Sequence, residues 1–255
     1  MPARSRFPML TGLLLLIPAL PAFAGADGGA VIRSAPPTSS IVIGFVGGFV
    51  RHDNLRHGPV QLAQRIQHGV AKDAYVEVFE NRHRRNAYNA ILRILDANHD
   101  GTLSVEEKGR GRIVLFGHSW GAASAVLLAR DLQREGIPVL LTVQVDSVAK
   151  FWQNDSVIPA NVGEAVNFYQ THGLIHGRPR IAAADPVHTQ ILGNYLVDYR
   201  KNPVQCPARA SWFDHLTPSH AQSECDPHVW SQIEDLVRQR LAPPLSATAS
   251  AAPQP

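Results

Sequence analysis

The sequence predicts an α/β fold in which a mainly parallel β-sheet is flanked by helices on both faces. From residue 40 onward, short apolar runs alternate with longer segments whose apolar residues recur at helical spacing. Strands that alternate with helices in this way form parallel sheets, because each helix returns the chain to the edge where the next strand begins. The 255 residues of the chain are enough for one sizeable domain with a hydrophobic core.

Each predicted element follows from its own pattern. Short apolar runs predict buried strands, and segments whose apolar residues lie three and four positions apart predict helices. The strands are expected at residues 40–50 (running into a loop), 74–80, 112–117, 139–145 and 165–169. The helices are expected at residues 59–70, 85–95, 122–135 and 227–241.

Residues 1–24 have the pattern of a secretory signal peptide. Arg4 and Arg6 give the positive start, and residues 10–20 form an apolar stretch that is too short to span a bilayer. A small-x-small sequence then ends at Ala24, where we expect cleavage. The protein is therefore expected to be exported, to the periplasm or the medium.

The domain that carries the fold is expected to span residues 40–241. Residues 25–39 are rich in Gly, Ala, Pro and Ser and predict a flexible leader. Residues 242–255 have a similar composition and predict a disordered tail. No stretch after the signal peptide is long and apolar enough for a membrane helix, so no transmembrane anchor is expected.

The charge balance does not favour a nucleic-acid partner. The formal net charge is +3, from 24 basic and 21 acidic residues. Loss of Arg4 and Arg6 with the signal peptide would leave 22 basic residues, so the exported protein would be nearly neutral. The basic cluster at residues 82–85 is expected to be a solvated helix start.

The chain has two cysteines, Cys206 and Cys225. In an exported protein an isolated pair of cysteines predicts one disulfide bond. The loop it would close is short, and the bond would stabilise the fold by about 3 kcal/mol if chain entropy is the main contribution. Two unpaired thiols are the alternative.

Residues 112–135 carry the most informative motif. The apolar run 112–117 leads directly into Gly117-His118-Ser119-Trp120-Gly121, and a helical segment follows. A strand, G-x-S-x-G and a helix in this order predict a nucleophile elbow, a tight turn that exposes the hydroxyl of Ser119. The backbone N–H of Trp120 would then point to where an oxyanion forms. The alternative is a serine that lies between two glycines by chance.

The elbow and the order of elements resemble the α/β-hydrolase superfamily, in a compact form without its usual first strands. The resemblance covers about residues 40–241. It implies that residues 40–50 form the strand before the oxyanion loop and that residues 112–117 form the central strand. The chain between Ser119 and the last helix is too short for a large lid domain.

A serine nucleophile needs a general base, and the base needs an orienting acid. In this superfamily the acid follows the serine and precedes the histidine. Asp146 ends the strand after the elbow unit, at the edge where parallel sheets place their sites. Asp146 is therefore the expected acid, and Asp185, which follows the next strand at a distance, is the rival.

The resemblance also implies the base, because the family's catalytic histidine lies on a loop ahead of the closing helix. His220 occupies that position, with an acidic residue and a proline following it before the helix. His215 is the second choice, and His228 is expected to be a surface residue at the helix start. The disulfide would fix the loop that carries His220.

The second oxyanion donor is expected from the loop after the first strand. Paired glycines at positions 47 and 48 allow a close backbone approach. The resemblance implies that the N–H of Phe49 joins that of Trp120. The neighbouring residues 51–53, Arg-His-Asp, are expected to shape the loop, with contact to substrate as the alternative.

A second motif occupies residues 96–107 and matches the EF-hand calcium loop at every position. Calcium prefers hard oxygen ligands, and the motif spaces them around a sharp turn at Gly101. A structural calcium ion is therefore expected in a loop inserted in the domain, with no organic cofactor; the alternative is an acidic turn that binds nothing. The expected ligands are Asp96, Asn98, Asp100, Thr102 (by its carbonyl), Ser104 (through water) and Glu107.

Together these patterns predict an exported serine hydrolase that acts on ester or thioester acyl bonds of a small-molecule or lipid-like substrate. Two other functions are compatible with the same residues. One is a calcium-stabilised binding protein of the same fold without turnover, and the other is an acyltransferase that uses the same triad. The sequence does not indicate which acyl group is recognised or the oligomeric state.

Overall fold

Six parallel strands form the central sheet in the described part of the chain. The computed structural model describes residues 38–69, 74–206 and 217–242. The strands of the sheet are β1 (Ser39–Val46), β2 (Tyr75–Glu80), β3 (Gly111–His118), β4 (Val139–Val145), β6 (Val162–Tyr169) and β8 (Gln190–Leu196), and they lie in the order β2-β1-β3-β4-β6-β8. Two short strands, β5 (Val157–Ile158) and β7 (Ala182–Ala183), pair with each other in a separate sheet.

Six α-helices lie among these strands in the described part of the chain. They are α1 (Gly58–His68), α2 (Arg84–Leu95), α3 (Val105–Gly109), α4 (Trp120–Arg134), α5 (Pro218–Cys225) and α6 (Pro227–Leu241). A short 3₁₀ turn (Asn81–His83) precedes α2. None of the described helices is long and apolar enough to cross a membrane.

The sheet separates two hydrophobic layers. Ile41, Ile43 and Phe45 of β1 face the layer that contains α2 and α4. Val42 and Val46 of the same strand face the opposite layer, which contains α1 and α6. Strands covered on both faces need apolar residues at every position. The near-continuous apolar runs of β1, β3 and β4 meet this requirement.

The register brings the carboxyl ends of the central strands together. Phe45 of β1 pairs with Gly117 of β3, and His118 of β3 pairs with Val145 of β4. Val145 in turn pairs with Phe168 of β6. The residues that follow these four strands therefore lie side by side at one edge of the sheet, which is where parallel sheets place ligands.

The predicted fold class, a compact α/β fold with a mainly parallel sheet between helices, is confirmed. Every strand and helix expected from the sequence is present, although β6 begins at Val162 instead of residue 165. Between α4 and α5 the described residues, which end at 206 and resume at 217, contain no helix and no large lid.

One strand of the main sheet was not expected. β8 forms the sheet edge beside β6, and its residues are half-buried or exposed. Because an edge strand covers little of the core, it carries polar residues and a glycine in place of an apolar run. The expected signal peptide, most of the leader, the tail beyond Ala242 and the alternative base His215 lie outside the described residues.

Candidate active site

Ser119 lies on the tight turn between β3 and α4. Its φ of 57° and ψ of −127° are rare for a residue with a side chain. The turn closes because the flanking glycines leave room: a Cβ at Gly117 would lie 2.5 Å from the carbonyl carbon of Gly121. A Cβ at Gly121 would collide with the backbone of Phe45 on β1. The turn thus has the strand, glycine spacing and helix of the predicted elbow.

The structure brings Ser119, His220 and Asp146 together. Nε2 of His220 lies 3.0 Å from Oγ of Ser119, and Nδ1 of His220 lies 2.6 Å from Oδ2 of Asp146. All three residues are buried. Both distances are in hydrogen-bond range. This arrangement lets the imidazole accept a proton from the serine at Nε2 while the carboxylate holds the Nδ1–H.

Asp146 has no exposed surface, so its charge depends on protein hydrogen bonds. Nε2 of Gln170 donates to Oδ2 at 2.8 Å, and the backbone N–H of Gln170 donates to Oδ1 at 3.3 Å. The backbone N–H of Gly177 also donates to Oδ1. Burial alone would raise the pKa of Asp146, but the hydrogen bonds from His220 and Gln170 and the charge of His220 hold that pKa below its ordinary value.

His220 lies in a helix and not on the loop that was expected. It is the third residue of α5, a short helix directly ahead of α6. Asp226 separates the two helices, because its extended backbone interrupts the helical path and its carboxylate caps α6 by accepting from the N–H groups of His228 and Val229. The helix expected at residues 227–241 is therefore present as α6, and an additional helix, α5, takes the place of the expected loop around His220.

The predicted disulfide is present between Cys206 and Cys225. It joins residues 19 positions apart, with their Cα atoms 5.7 Å from each other. Cys225 is the last residue of α5, five positions after His220. The bond therefore ties the end of the helix that carries His220 to the segment after β8.

Buried polar groups support His220 from its other side. The rings of His118 and His220 lie 4.7 Å apart, and Oγ of Ser223 donates to the carbonyl of His220 at 2.8 Å. Nε2 of His118 lies 3.0 Å from the same Oγ. Since the hydroxyl proton of Ser223 is used on that carbonyl, Nε2 of His118 must donate to Oγ. Glu224 pairs with His57 and lies 3.8 Å from Nδ1 of His118.

The loop after β1 approaches the serine closely. A Cβ at Gly47 would lie 2.8 Å from Cβ of Ser119, so only glycine fits there. Nδ2 of Asn81 donates to the carbonyl of Gly48 at 2.6 Å and fixes the loop. The rings of Phe49 and Trp120 are in edge contact, with centroids 5.8 Å apart. The two residues expected to donate the oxyanion N–H groups are thus neighbours beside Ser119.

The alternative residues lie elsewhere or are not described. Asp185 is hydrogen-bonded to His188 at 2.6 Å on the surface and does not contact His220. His228 is exposed at the start of α6. His215 is outside the described residues.

In the loop at residues 51–53, Arg51 and Asp53 form an exposed ion pair with each other.

Residues 96–107 form a turn that is closed by its own hydrogen bonds. Asp96 accepts from the backbone N–H groups of residues 100 and 101, and Gly101 has a φ of 81°. Hydrogen bonds from Thr102 and Asn98 hold the pKa of Asp100 below its ordinary value. Those from the backbone of Ser104 and of residue 97 lower the pKa of Glu107, although burial opposes them.

The oxygen donors of this loop suit a calcium ion chemically. These donors are not gathered around one point, however. Among the described residues, no group of three or more His, Cys, Asp or Glu side chains could hold a metal ion. The loop runs into α3 and precedes the beginning of β3, whereas Ser119 follows the end of β3. It therefore lies at the opposite edge of the sheet from the candidate site.

Several residues of the site were not predicted from the sequence. Gln170, Asn81, Ser223 and Glu224 carry no motif, and each acts through a partner that is distant in the chain. One signal was available for Gln170, which directly follows β6 at the edge where Asp146 follows β4. The other three could be found only from the folded chain.

No family model matches the chain, and no curated protein matches it. Among solved structures it is similar to a thermostable esterase from Pseudomonas putida, with 11% identity, 82% of this chain and 74% of the other covered, and a TM-score of 0.37. It is also similar to a protein described as a hydrolase of the α/β superfamily from Xanthomonas campestris pv. campestris, with 14% identity, 78% and 99% coverage, and a TM-score of 0.34. These values say nothing about activity, and the fold class rests on strand order and helix placement.

Replacing Gln170 with leucine should destabilise the protein. The change removes a hydrogen bond to a fully buried carboxylate, and leaving a buried charged group short of a partner costs about 1–3 kcal/mol. Urea denaturation followed by circular dichroism measures the free energy of unfolding. Gln133→Leu, on the exposed face of α4, is the control and should change it by less than about 0.5 kcal/mol. Equal effects of both changes would contradict this account of Asp146.

Reduction of the disulfide should loosen α5 before it unfolds the sheet. The bond restrains α5, which carries His220, whereas the six strands are held by other contacts. Hydrogen exchange of the α5 backbone amides and far-ultraviolet circular dichroism are measured over the same series of reductant concentrations, with a Cys206→Ser/Cys225→Ser double variant as the control for reductant side effects. Loss of amide protection and of the dichroism signal at the same concentration would show that the bond supports the whole domain instead.

Proposed function

We propose that this protein is an exported serine hydrolase that cleaves ester or thioester acyl bonds. The observation that carries the proposal is the pair of contacts made by His220, 3.0 Å to Oγ of Ser119 and 2.6 Å to Oδ2 of Asp146. A nucleophile, a base and an orienting acid in this geometry form the arrangement that acyl transfer by serine requires. The strained backbone of Ser119 supports the same reading, since such strain is concentrated at functional sites.

In the proposed first half-reaction, Oγ of Ser119 forms a bond to the acyl carbon while His220 removes the hydroxyl proton at Nε2. The carbonyl oxygen becomes an oxyanion, which the N–H groups of Phe49 and Trp120 stabilise. The intermediate collapses with cleavage of the bond to the leaving group. His220 returns the proton to that group, and the acyl chain remains on Ser119.

In the second half-reaction, water takes the place of the leaving group. His220 removes a proton from the water, which attacks the acyl carbon, and Oγ of Ser119 recovers the proton as the acid is released. Asp146 stays ionised throughout and keeps the Nδ1–H of His220 in place. Its lowered pKa supports this role, because the carboxylate is charged at every pH where the histidine can act as a base.

Export is part of the proposal and rests on two features. The signal-peptide pattern of residues 1–24 is one, and the disulfide between Cys206 and Cys225 is the other. Disulfides persist in oxidising compartments such as the periplasm and the medium.

A structural calcium ion at residues 96–107 also remains a proposal. It rests on the residue pattern, on the turn at Gly101 and on the ionised state favoured for Asp100 and Glu107. No reacting group belongs to this loop, so a bound ion would act on stability and not on the chemical step.

The triad predicts a specific order of mutational effects. Ser119→Ala and His220→Ala should each lower kcat by about 10⁴-fold or more, without additivity in the double variant, because the two groups act as a unit. Asp146→Asn should cost less, since it disturbs the orientation and tautomer of the base but leaves the nucleophile. Hydrolysis of p-nitrophenyl esters of increasing chain length gives the rates, and circular dichroism confirms that each variant is folded.

A fluorophosphonate probe separates the enzyme from a non-catalytic binding protein of the same fold. The wild type should be labelled at Ser119, and Ser119→Ala should not be labelled. A folded wild type that neither reacts with the probe nor hydrolyses any ester would overturn the proposed function. Formation of acylated product from an added alcohol, faster than hydrolysis, would identify an acyltransferase with the same triad.

The calcium proposal predicts a metal-dependent melting temperature. Without metal the carboxylates of Asp96, Asp100 and Glu107 repel one another, and binding to the folded state alone stabilises it by about 2.7 kcal/mol at a hundredfold excess over Kd. The melting temperature should therefore fall by roughly 5–10 °C on chelation and recover better with calcium than with magnesium. Differential scanning calorimetry measures the change.

Two charge-matched variants control this experiment. Glu107→Gln removes one expected ligand and should weaken the response to calcium. Glu106→Gln removes the same charge from the neighbouring position, which is exposed and outside the ligand pattern, and should leave the response intact. An unchanged melting temperature with chelator and with calcium would show that the loop is an acidic turn only.

A further inference from the structure

A cavity of about 620 Å³ opens beside the candidate active site. Two of its lining residues reach the oxyanion region. Lys150 places Nζ 5.1 Å from the ring centroid of Trp120, which directly follows Ser119. Asn81, the second, donates from Nδ2 to the carbonyl of Gly48 in the loop after β1. Two residues of the cavity lining therefore contact Trp120 and the loop after β1, which flank Ser119.

Cationic side chains dominate the lining of this cavity. Five cations face it, against two carboxylates, Asp131 and Glu135. Asp131 already forms ion pairs with two of these cations, Arg84 at 2.8 Å and Arg134. The five cations are Arg82, Arg84, Arg85, Arg134 and Lys150.

The other acidic groups near the cavity pair with Arg82 but not with Arg85 or Lys150. Glu135 accepts from the hydroxyl of Tyr88 at 2.7 Å, and burial together with this hydrogen bond raises the pKa of Tyr88 to about 12. Glu80, which lies outside the cavity lining, pairs with Arg82. Within the described residues, no carboxylate pairs with Arg85 or Lys150.

Lys150 is held in place without an anionic partner. Its Nζ lies 3.4 Å from Oδ1 of Asn81 and over the face of Trp120. A half-buried lysine that is positioned by an amide oxygen and an aromatic ring can still contact an anionic third group. Like charges gathered at a concave surface raise the local concentration of anions, and their mutual repulsion falls when an anion binds.

We propose that this cavity binds an anionic group, a carboxylate or a phosphate, carried by the substrate at a distance from the scissile acyl carbon. Arg85 and Lys150 would make the main contacts, and the preferred substrate would be an anionic ester or thioester. This inference rests on the proposed hydrolase function for its substrate class. That the cavity binds an anion is inferred from its lining residues alone.

The kinetic test compares matched esters. We measure kcat/KM for p-nitrophenyl butyrate, which is neutral, and for mono-p-nitrophenyl glutarate, which adds a carboxylate at the far end of the acyl chain. A second pair, phenyl butyrate and 4-carboxyphenyl butyrate, places the carboxylate on the leaving group. The wild type should prefer the anionic member of at least one pair by roughly tenfold or more, and the preference should fall as salt is added.

Substitutions locate the preference in the cavity. Arg85→Gln and Lys150→Met should each reduce the ratio of anionic to neutral kcat/KM severalfold, and Arg85→Glu should reduce it further and favour a cationic ester. Arg93→Gln is the matched control, because Arg93 is exposed on the same helix but does not line the cavity. It should leave the ratio unchanged. No preference in the wild type, or the same loss in Arg93→Gln as in Arg85→Gln, would overturn the inference.

A binding measurement keeps the inference separate from the proposed function. Calorimetry on Ser119→Ala compares monoethyl glutarate with ethyl butyrate, and the anionic ester should bind at least tenfold more tightly. An Arg85→Gln/Lys150→Met background should abolish that difference. Competition against the bound anionic ester, by inorganic phosphate in one series and by glutarate in the other, shows whether the cavity prefers a phosphate or a carboxylate. Equal binding of the two esters would refute the anion site even if the enzyme is active, and tight anionic binding would support it even if no ester is hydrolysed.

Discussion

A carboxylate that solvent does not reach organises the candidate site. Asp146 has no exposed surface, and an isolated charge in that position would be costly. Its charge is satisfied by His220 from α5, by Gln170 after β6 and by the N–H of Gly177. These groups come from separate parts of the chain. The hydrogen bonds around one buried charge therefore fix the loop after β6 and helix α5 relative to the sheet. As a consequence, His220 lies within hydrogen-bond distance of Ser119.

His220, the proposed base, is held by two different kinds of contact to its ring. Asp146 binds Nδ1, whereas His118 lies against the ring face and holds the backbone of His220 through Ser223. His118 belongs to the elbow strand, directly before Ser119. The proposed nucleophile and the support of the proposed base are thus consecutive residues, so a shift of β3 would move both together. Proton transfer between catalytic groups tolerates little change in such distances, and this coupling would preserve them.

The sequence was sufficient where function imposes a local pattern. The elbow at Ser119, the strand ending at Asp146 and the order of the elements could all be predicted, because glycine spacing and buried parallel strands leave direct traces. Two kinds of feature left no such pattern in the sequence. The edge strand β8 covers little of the core and has no apolar run, and Gln170 and Asn81 act on partners far away in the chain. The helix around His220 was also missed, because its buried residues are polar and no apolar periodicity marks it in the sequence.

The loop proposed to bind calcium, residues 96–107, lies far from the candidate active site. The loop leads through α3 into the first residue of β3, and Ser119 follows the last. A strand advances about 3.3 Å per residue, so the eight residues of β3 place the two regions roughly 26 Å apart. Screened Coulomb interactions are weak over such a distance. An ion in the loop would therefore reach Ser119 only through the stability of β3, whereas Lys150 lies over the ring of Trp120 and would act directly on an anion bound in the proposed cavity.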